Sequence, residues 1–245
     1  MQETYCTSAI VLKRQAFREN DSWVVLYSES KGRLELVARG TRKFSSKMSA
    51  HLEPFNLSRI MVVRGRALDY IGSVSSENCF ISIKSDFSKI TVAGQAIKQF
   101  LGMVKPDEKD ESLFNLLKRF LSLLNELEYD SSTAYKMQIL YYSFIFKLLG
   151  LLGYGPELIH CVSCRKKVGP TGNSFCGSLG GIICPSCQKT IKYDNIIDIS
   201  ENGIKILRLM AGNPIDDSIR IKAGTALLSE IRGIVGSFNE TISCY

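Results

Sequence analysis

Hydrophobic and polar residues alternate with a period of about two along the first part of the chain, in short runs separated by turn residues. In the run 33–39, Leu34, Leu36 and Ala38 share one face, which is typical of a strand with one buried side. Five short strands within residues 4–77 favour a small closed barrel of the OB type. The predicted strands are residues 6–14, 23–28, 33–39, 55–63 and 68–74.

Beyond residue 80 the apolar residues recur every three or four positions, which is the period of an α-helix. Residues 113–124 show this most clearly, because their leucines and phenylalanine fall on one side of a helix. Ser132 or Thr133 is placed to cap the third helix, and Ser200 precedes the fourth. Five helices are predicted, over residues 90–101, 113–124, 132–153, 201–211 and 226–238.

These patterns predict an α+β, multidomain fold. An N-terminal OB-fold β-barrel is expected in residues 1–79, and an α-helical domain in residues 80–245. Gly233 and Gly236 disfavour the last helix, since glycine has a low helix propensity.

Four of the eight cysteines form two Cys-x-x-Cys pairs, Cys161 with Cys164 and Cys184 with Cys187, nineteen residues apart. Two residues between paired thiolates let both face one ion, and a hairpin between the pairs brings the second pair opposite the first. A redox dithiol is the alternative, but it needs only one such pair. The spacing predicts one structural Zn²⁺ per chain, in a zinc ribbon at about residues 158–193 that is inserted in the helical domain.

A shell of four thiolates leaves no open position for water, and a catalytic zinc needs one. Cys176 is interpreted as a buried free thiol, and His160 as a neighbour outside the shell. The sequence has no histidine–glutamate partner of a zinc deaminase, no phosphate loop and no Gly-x-Ser-x-Gly elbow. We therefore expect no enzymatic activity.

Positive charge is concentrated in one part of the chain. The formal net charge is +7, and residues 31–66 alone hold nine basic residues against two acidic ones. A surplus confined to so short a stretch produces a local field that attracts phosphate, whereas an even spread would only aid solubility. Nucleic acid is therefore the favoured partner.

A basic, hydroxyl-rich loop follows the third predicted strand and starts at Gly40. Such a loop can wrap a phosphate backbone, and nearby aromatic rings can stack on bases. The alternative is that the strand aromatics belong to the core and the charges to a solvated face. The candidate aromatic residues are Trp23, Tyr27, Phe44 and Tyr70. The predicted DNA-binding residues are Lys13, Arg14, Lys31, Arg33, Arg39, Arg42, Lys43, Lys47, Arg64 and Arg66.

Neither an export signal nor a membrane span is predicted. Residues 1–15 lack a basic start and a long apolar run. The most apolar segment, residues 137–153, is interrupted by Lys147 and is shorter than the roughly 20 residues of a membrane span. Without export, the cysteine pairs are expected to be reduced and metal-bound, and the cytoplasm is the expected location.

Several short motifs occur in order along the chain: Val-Leu-Lys-Arg at 11–14, Ala-Arg-Gly-Thr-Arg at 38–42, Leu-Glu-Pro-Phe at 52–55, Arg-Gly at 64–65 and the two Cys-x-x-Cys pairs at 161–164 and 184–187. Each is weak alone, but their order ahead of a helical region with a zinc ribbon is specific. In this arrangement essentially the whole chain resembles RecO, the bacterial recombination mediator family. Only the end departs, since Gly233, Gly236 and Cys244 stand where the family has an ending rich in arginine and leucine.

The resemblance implies an OB fold followed by a helical domain, in a protein that binds single- and double-stranded DNA, anneals complementary strands and works with RecR. It also implies that the protein engages the acidic tail of single-stranded DNA-binding protein and so indirectly helps RecA replace it, at the bacterial nucleoid. Arg39, Arg42, Lys43 and Lys47 match the family's basic surface.

The acidic tail is expected on the helical domain, in an apolar pocket rimmed by basic residues. The candidates are Lys98, Lys118, Arg119, Lys136 and Lys147, beside Phe100, Phe120, Tyr141 and Phe144.

Two other classes of function are consistent with a zinc ribbon beside a basic β-domain. An enzyme that processes nucleic acid would show a cleft of titratable groups with shifted pKa values. A zinc-ribbon transcription factor would present a polar recognition helix that carries arginine or asparagine. Because the predicted helices are mostly apolar, a non-enzymatic mediator is preferred.

Overall fold

The computed structural model describes residues 3–106, 108–190 and 196–242. The chain forms two compact units, Met1–Glu126 and Leu127–Tyr245. The first holds a β-barrel, a short 3-10 helix (Ala50–Leu52) and three α-helices, and the second holds further helices and a small sheet. The domain boundary predicted between residues 79 and 80 follows the last barrel strand and stays a prediction.

The barrel confirms the predicted OB fold. Its strands are connected in the order β1-β2-β3-β5-β4, and β4 pairs back with β1 to close it. All neighbouring strands are antiparallel except β3 and β5, which pair in parallel where Val37 meets Tyr70. The strands are β1 (Thr4–Ala16), β2 (Ser22–Ser28), β3 (Gly32–Ala38), β4 (Leu57–Val63) and β5 (Tyr70–Asn78).

The period-two pattern of the sequence reflects residues that point alternately into the barrel and out of it. Val24, Leu26 and Leu36 belong to a fully buried core. Glu35, beside Leu36, is exposed, whereas Val25 and Tyr27 on the other face of β2 are also buried. Strand β1 is long because it pairs with β4 along its first half and with β2 along its second. A register shift between Val11 and Lys13 bends the strand between these two partners.

Three helices complete the first unit: α1 (Ile81–Lys84), α2 (Phe87–Met103) and α3 (Glu111–Glu126). Helix α2 and the loop between α2 and α3 contact β2 and β3 near the turn that joins these strands. The ring of Tyr27 meets the ring of Phe100 edge-on at 4.9 Å, and its hydroxyl donates to the carbonyl of Asp110 at 3.3 Å. Gly32 has a positive φ, and a Cβ there would lie 2.1 Å from the carbonyl oxygen of Glu108.

The second unit is built around α4 (Thr133–Leu151), most of whose residues are buried. A three-stranded sheet in the order β7-β6-β8 forms the ribbon, and Phe175 of the sheet contacts Phe238 edge-on at 5.8 Å. The other elements are β6 (Asn173–Cys176), β7 (Gly181–Ile183), α5 (Pro185–Gln188), β8 (Ile196–Ile199), α6 (Glu201–Gly212), a 3-10 helix (Ile215–Arg220) and α7 (Thr225–Ile242). Residues 191–193 of the predicted ribbon lie outside the described residues.

All five predicted helices are present, each within a few residues of its predicted bounds. The hydroxyl of Ser200 caps α6 by accepting from the backbone of Gly203 at 2.9 Å, as expected. Helix α7 runs through Gly233 and Gly236, both of which are exposed, so the predicted helix forms despite their low helix propensity. Cys244 lies outside the described residues.

Ser132 occupies the predicted N-cap of α4 but makes no capping bond with its side chain. The carboxylate of Asp130 instead accepts from the backbone of Ser132 at 2.7 Å. Donation from Lys136, together with these contacts from Ser132, holds the pKa of Asp130 well below its usual range.

Candidate metal centre and nucleic-acid interface

The two cysteine pairs meet in the second unit. Cys161 and Cys164 lie on a tight turn in which the backbone of Arg165 donates to the carbonyl of Cys161 at 2.9 Å. Cys184 and Cys187 lie at the start of α5, directly after β7. The hairpin of β6 and β7 connects the two turns, as the spacing predicts, and all four sulfur atoms lie within 4.8 Å of one another.

The spacing of the sulfur atoms suits a tetrahedral metal site. A Zn–S bond of about 2.3 Å places neighbouring sulfurs of a tetrahedron about 3.8 Å apart. The sulfurs of Cys164 and Cys184 are separated by 3.8 Å. The four-cysteine cluster can therefore hold a metal ion, and soft thiolate ligands favour zinc among the common biological divalent ions.

The turns around the cluster favour one thiolate in particular. Burial alone would raise the pKa of Cys161, but backbone N–H groups of Cys164, Cys184 and Ser163 point at its sulfur and lower the pKa to about 6. For Cys187, a hydrogen bond from Ser163 lowers the pKa, but the neighbouring thiols and burial outweigh it and raise the pKa to about 11. A cation among the four sulfurs would offset their mutual repulsion and stabilise all the thiolates.

Cys176 and His160 lie beside this cluster without belonging to it. Cys176 is fully buried against Cys161 and Ile183, and its sulfur lies 3.2 Å from the hydroxyl of Ser178. This agrees with the interpretation as a buried thiol. The ring of His160 lies 3.9 Å from the carboxylate of Glu157.

A basic groove opens at one end of the barrel, entirely within the first unit. It consists of two adjoining cavities of about 480 Å³ and 220 Å³ that share Arg18 and Arg39. Its walls are the β1–β2 loop (residues 17–21), the start of the β3–β4 loop (residues 39–43) and the β4–β5 loop (residues 64–69). The larger cavity is lined by Arg18, Glu19, Asn20, Asp21, Arg39, Gly40 and Lys43. The smaller one is lined by Arg18, Val37, Arg39, Gly65, Arg66, Ala67, Leu68 and Tyr70.

The groove's loops are held together by their own side chains. The guanidinium of Arg42 donates to the carbonyls of Arg18 and Glu19 at 3.1 and 3.0 Å, and the carboxylate of Asp21 accepts from the backbone of Gly40 at 2.9 Å. These contacts tie the β1–β2 loop to the β3–β4 loop. The guanidinium carbon of Arg39 lies over the ring of Tyr70, 4.0 Å from its centre.

Comparison with known proteins places the chain in a family. The sequence model for the N-terminal part of recombination protein O matches residues 1–80, and the model for its C-terminal part matches residues 84–241. The second match alone covers more than half of the chain. The chain belongs to the recombination protein O (RecO) family.

Several relatives carry the name DNA repair protein RecO. The relative from Dehalococcoides mccartyi strain 195 is 32% identical over 225 residues, which cover 92% of this chain and 85% of the relative. The relative from Desulforamulus reducens is 28% identical over 236 residues, or 96% and 88% of the two chains. The relative from Cutibacterium acnes is 33% identical over 187 residues, or 76% and 74%. The chain is thus a member of a family of DNA repair proteins, as the order of its motifs predicts.

The structure divides the ten predicted DNA-binding residues of this RecO-family chain into groups. Arg39, Lys43 and Arg66 line the groove, and Arg64 lies in the same loop as Arg66. Lys13 on β1 and Lys47 in the β3–β4 loop are exposed but do not line it. Their contacts with DNA stay predictions.

The remaining members of the ten have partners within the protein. The guanidinium groups of Arg14 and Arg42 donate to backbone carbonyls of the groove's loops. Arg33 forms an ion pair with Glu35 at 2.6 Å, near the turn that joins β2 and β3. Lys31 lies in that turn, with its ammonium 5.8 Å from the centre of the Tyr5 ring.

Sequence reasoning missed Arg18 and Phe17. Arg18 lines both cavities, and Phe17 is exposed with its ring 5.3 Å from that of Trp23. Both lie before the strongly basic stretch, so charge counting overlooked them. The signal that could have found them is their position, because the β1–β2 loop is one of the nucleic-acid-binding loops of an OB fold.

Two expectations about aromatic residues are wrong. Tyr27 cannot stack on bases, because it is fully buried beneath Phe100. Phe100, Phe120 and Phe144 cannot line a surface pocket for an acidic tail, since each has no exposed surface. These phenylalanines were chosen because they recur with the period of a helix, but that period marks the side of a helix that packs against the core.

The second unit nevertheless has a surface cavity rimmed by basic residues. It measures about 670 Å³ and lies between the start of α4 and the segment that leads from the 3-10 helix to α7. Lys136 alone of the predicted basic candidates lines it. The lining residues are Ser132, Tyr135, Lys136, Ile219, Arg220, Lys222, Ala223 and Gly224. Within the described ranges, no helix has both the length and the apolarity that crossing a bilayer requires.

Proposed function

We propose that this RecO-family protein is a non-enzymatic recombination mediator that binds and anneals single-stranded DNA. It would also help to load RecA on strands coated with single-stranded DNA-binding protein. The observation that carries this proposal is the basic groove, because it lies between the β1–β2 and β4–β5 loops, where OB folds bind oligonucleotides. Membership in a family of DNA repair proteins supports it.

The groove supplies the chemistry that annealing needs. Two complementary strands repel each other through their phosphates, and cations that neutralise one strand reduce this repulsion. Arg18, Arg39 and Lys43 converge on the larger cavity, so one stretch of backbone can meet all three. Pairing of the bases then proceeds without a covalent step, which is why no catalytic group is required. We propose that the protein also binds double-stranded DNA through the same phosphate contacts.

The four-cysteine cluster is proposed to hold one structural zinc per chain. Cys161, Cys164, Cys184 and Cys187 complete a tetrahedral shell, which leaves no position for water. The ion would cross-link two turns that are joined by a hairpin, and its binding would add directly to the stability of the ribbon.

The second unit is proposed to receive the acidic tail of single-stranded DNA-binding protein. The cavity beside α4 combines an aromatic ring, Tyr135, with the cations of Arg220 and Lys222, which suits a peptide with carboxylates and an aromatic end. RecR is proposed as a further partner, as the family resemblance implies. These partners would place the protein at DNA in the bacterial cytoplasm.

The salt dependence of DNA binding tests the proposal. A variant with Arg18→Ala, Arg39→Ala and Lys43→Ala removes three groove cations and leaves Arg42 to hold the loops. Each phosphate contact contributes about −0.7 to the slope of log affinity against log salt on single strands. We therefore expect the slope to flatten by roughly 2 units, equally for all sequences, and annealing of coated complementary strands to decline in parallel.

A matched variant controls for net charge. Lys166→Ala, Lys167→Ala and Lys189→Ala remove the same charge from exposed positions of the ribbon, and this variant should retain the original slope and annealing. An unchanged slope in the groove variant, or an equal loss in both variants, would contradict the proposal. A loss that depends on DNA sequence would indicate base contacts instead.

A further inference from the structure

Tyr70 and Arg39 lie together in the wall of the smaller cavity. Tyr70 is the first residue of β5 and pairs with both Val37 and Val63, so its backbone is held by two neighbouring strands. The guanidinium of Arg39 lies 4.0 Å from the centre of its ring. A guanidinium over an aromatic ring is attracted to it, and both groups line this cavity.

Apolar groups form much of the rest of this cavity, together with Arg18, Gly65 and Arg66. Val37 is nearly buried at its base, and Ala67 and Leu68 of the β4–β5 loop are exposed along its side. Phosphates alone would gain nothing from an apolar wall, because a charged group is stabilised by water or by cations. Arg18 and Arg66 can contact phosphate here, but phosphate binding does not account for the apolar wall.

The size of the cavity restricts what can enter. Its volume of about 220 Å³ is below the roughly 300–1,000 Å³ of pockets for drug-sized ligands. One flat aromatic ring fits this space better than a larger ligand or a base pair. The larger cavity adjoins it through Arg18 and Arg39, so a ring here can be linked to a phosphate there.

We propose that the smaller cavity is a base-binding subsite, which receives one unstacked nucleobase of a single strand against the Arg39–Tyr70 stack. This inference rests on the proposed function of the groove and adds a second kind of contact to it. A base in a duplex is paired and stacked, so it cannot enter without being flipped out. The subsite thus favours single strands, whereas the phosphate contacts serve both forms.

The test compares two oligonucleotides that carry the same charge. One is oligothymidylate, and the other is a strand of equal length in which every nucleotide is abasic. Stacking of a base on an aromatic group contributes about 1–3 kcal/mol, so the full-length protein should bind oligothymidylate roughly 5- to 160-fold more tightly. The affinities are measured by fluorescence anisotropy at one fixed salt concentration.

Two variants assign the preference to this cavity. Tyr70→Leu keeps an apolar side chain but removes the ring, and Arg39→Lys keeps the charge but removes the flat face. Each should reduce the preference for oligothymidylate several-fold, by weakening its binding and not by strengthening that of the abasic strand. If Tyr70→Leu fails to fold, Arg39→Lys decides alone, because Arg39 is exposed. The control is Tyr154→Leu, an exposed tyrosine of the second unit, which should retain the preference.

Every outcome is decisive. Equal binding of the two strands by the unchanged protein overturns the subsite but leaves the proposed function intact. A preference that survives in both variants places base contact elsewhere and also overturns the subsite. Binding of neither strand contradicts the proposed function itself.

Discussion

At the scale of one residue, Arg14 is a basic side chain that does not line the groove but holds one of the loops that form it. Its guanidinium donates to the carbonyls of Ser49 and Thr41 at 2.8 and 2.9 Å, and to the hydroxyls of Ser22 and Ser49 at 3.1 Å. Burial lowers the pKa of Arg14, with Glu53 acting in the opposite sense. These bonds span the β3–β4 loop, so we infer that Arg14 shapes the groove.

The substitution Arg14→Ala should therefore lower stability more than it changes the electrostatics of DNA binding. Hydrogen bonds from charged donors contribute about 1.5–3 kcal/mol each when buried, and these are only partly buried. We expect a loss of about 2–3 kcal/mol in the free energy of unfolding, measured by urea denaturation. The salt slope of single-strand binding should stay unchanged.

Lys13→Ala is the matched control, because Lys13 is exposed on the same strand, and its stability should remain within about 0.5 kcal/mol of the unchanged protein. A salt slope that flattens in Arg14→Ala while stability is retained would show that Arg14 contacts phosphate directly, and would contradict this role.

At the scale of elements, the ribbon depends on a site that the chain must assemble from two distant turns. Sheet β7-β6-β8 has strands of only three or four residues, which cannot bury much apolar surface. A metal ion between the two cysteine turns would supply the missing stability.

The substitution Cys187→Ser should release the metal. We expect the unchanged protein to contain one zinc per chain by elemental analysis, and the variant to contain far less. If the loss of the site removes about 3 kcal/mol, the melting temperature should fall by roughly 6–12 °C. Single-strand affinity should fall less, because the groove belongs to the other unit.

Cys176→Ala is the control, because Cys176 is a buried cysteine of the same ribbon outside the cluster. It should retain one zinc per chain. Full zinc content and an unchanged melting temperature in Cys187→Ser would disprove the metal assignment.

At the scale of the whole molecule, the two units are proposed to divide the work between DNA and a protein partner. The groove of the first unit and the cavity beside α4 are both rimmed by cations, but only the first follows from the basic stretch at residues 31–66. If the two sites are separate, a substitution that weakens binding at one should leave binding at the other unchanged.

The paired substitutions Arg220→Glu and Lys222→Glu should weaken binding of an acidic peptide that ends in an aromatic residue. Reversing two exposed charges should cost about 1.4 kcal/mol, or roughly ten-fold in affinity, measured by calorimetry. Binding of single-stranded DNA should remain the same. Lys166→Glu with Lys167→Glu makes the same change of charge on the ribbon and should leave peptide binding intact. Equal peptide affinity in all three proteins would exclude this cavity.

The sequence by itself determined every feature that depends on local spacing. Alternation with a period of two located all five barrel strands, because alternate residues of a barrel strand point into the core. The helical period located the five long helices for the same reason. The Cys-x-x-Cys turns determined the metal cluster, since two intervening residues are enough to bring both sulfurs to one side.

Tertiary structure decided which of the chemically suitable residues meet. Arg18, Arg39 and Arg66 line one groove although they lie far apart in the sequence, because barrel closure brings three loops to one end. Tyr27 and Phe100 have the residue type of a binding site, but they pack against each other and leave none of their surface exposed. Charge and ring type are properties of single residues, whereas exposure and convergence depend on the pairing of distant segments. That pairing is therefore the part of the site that spacing along the chain could not predict.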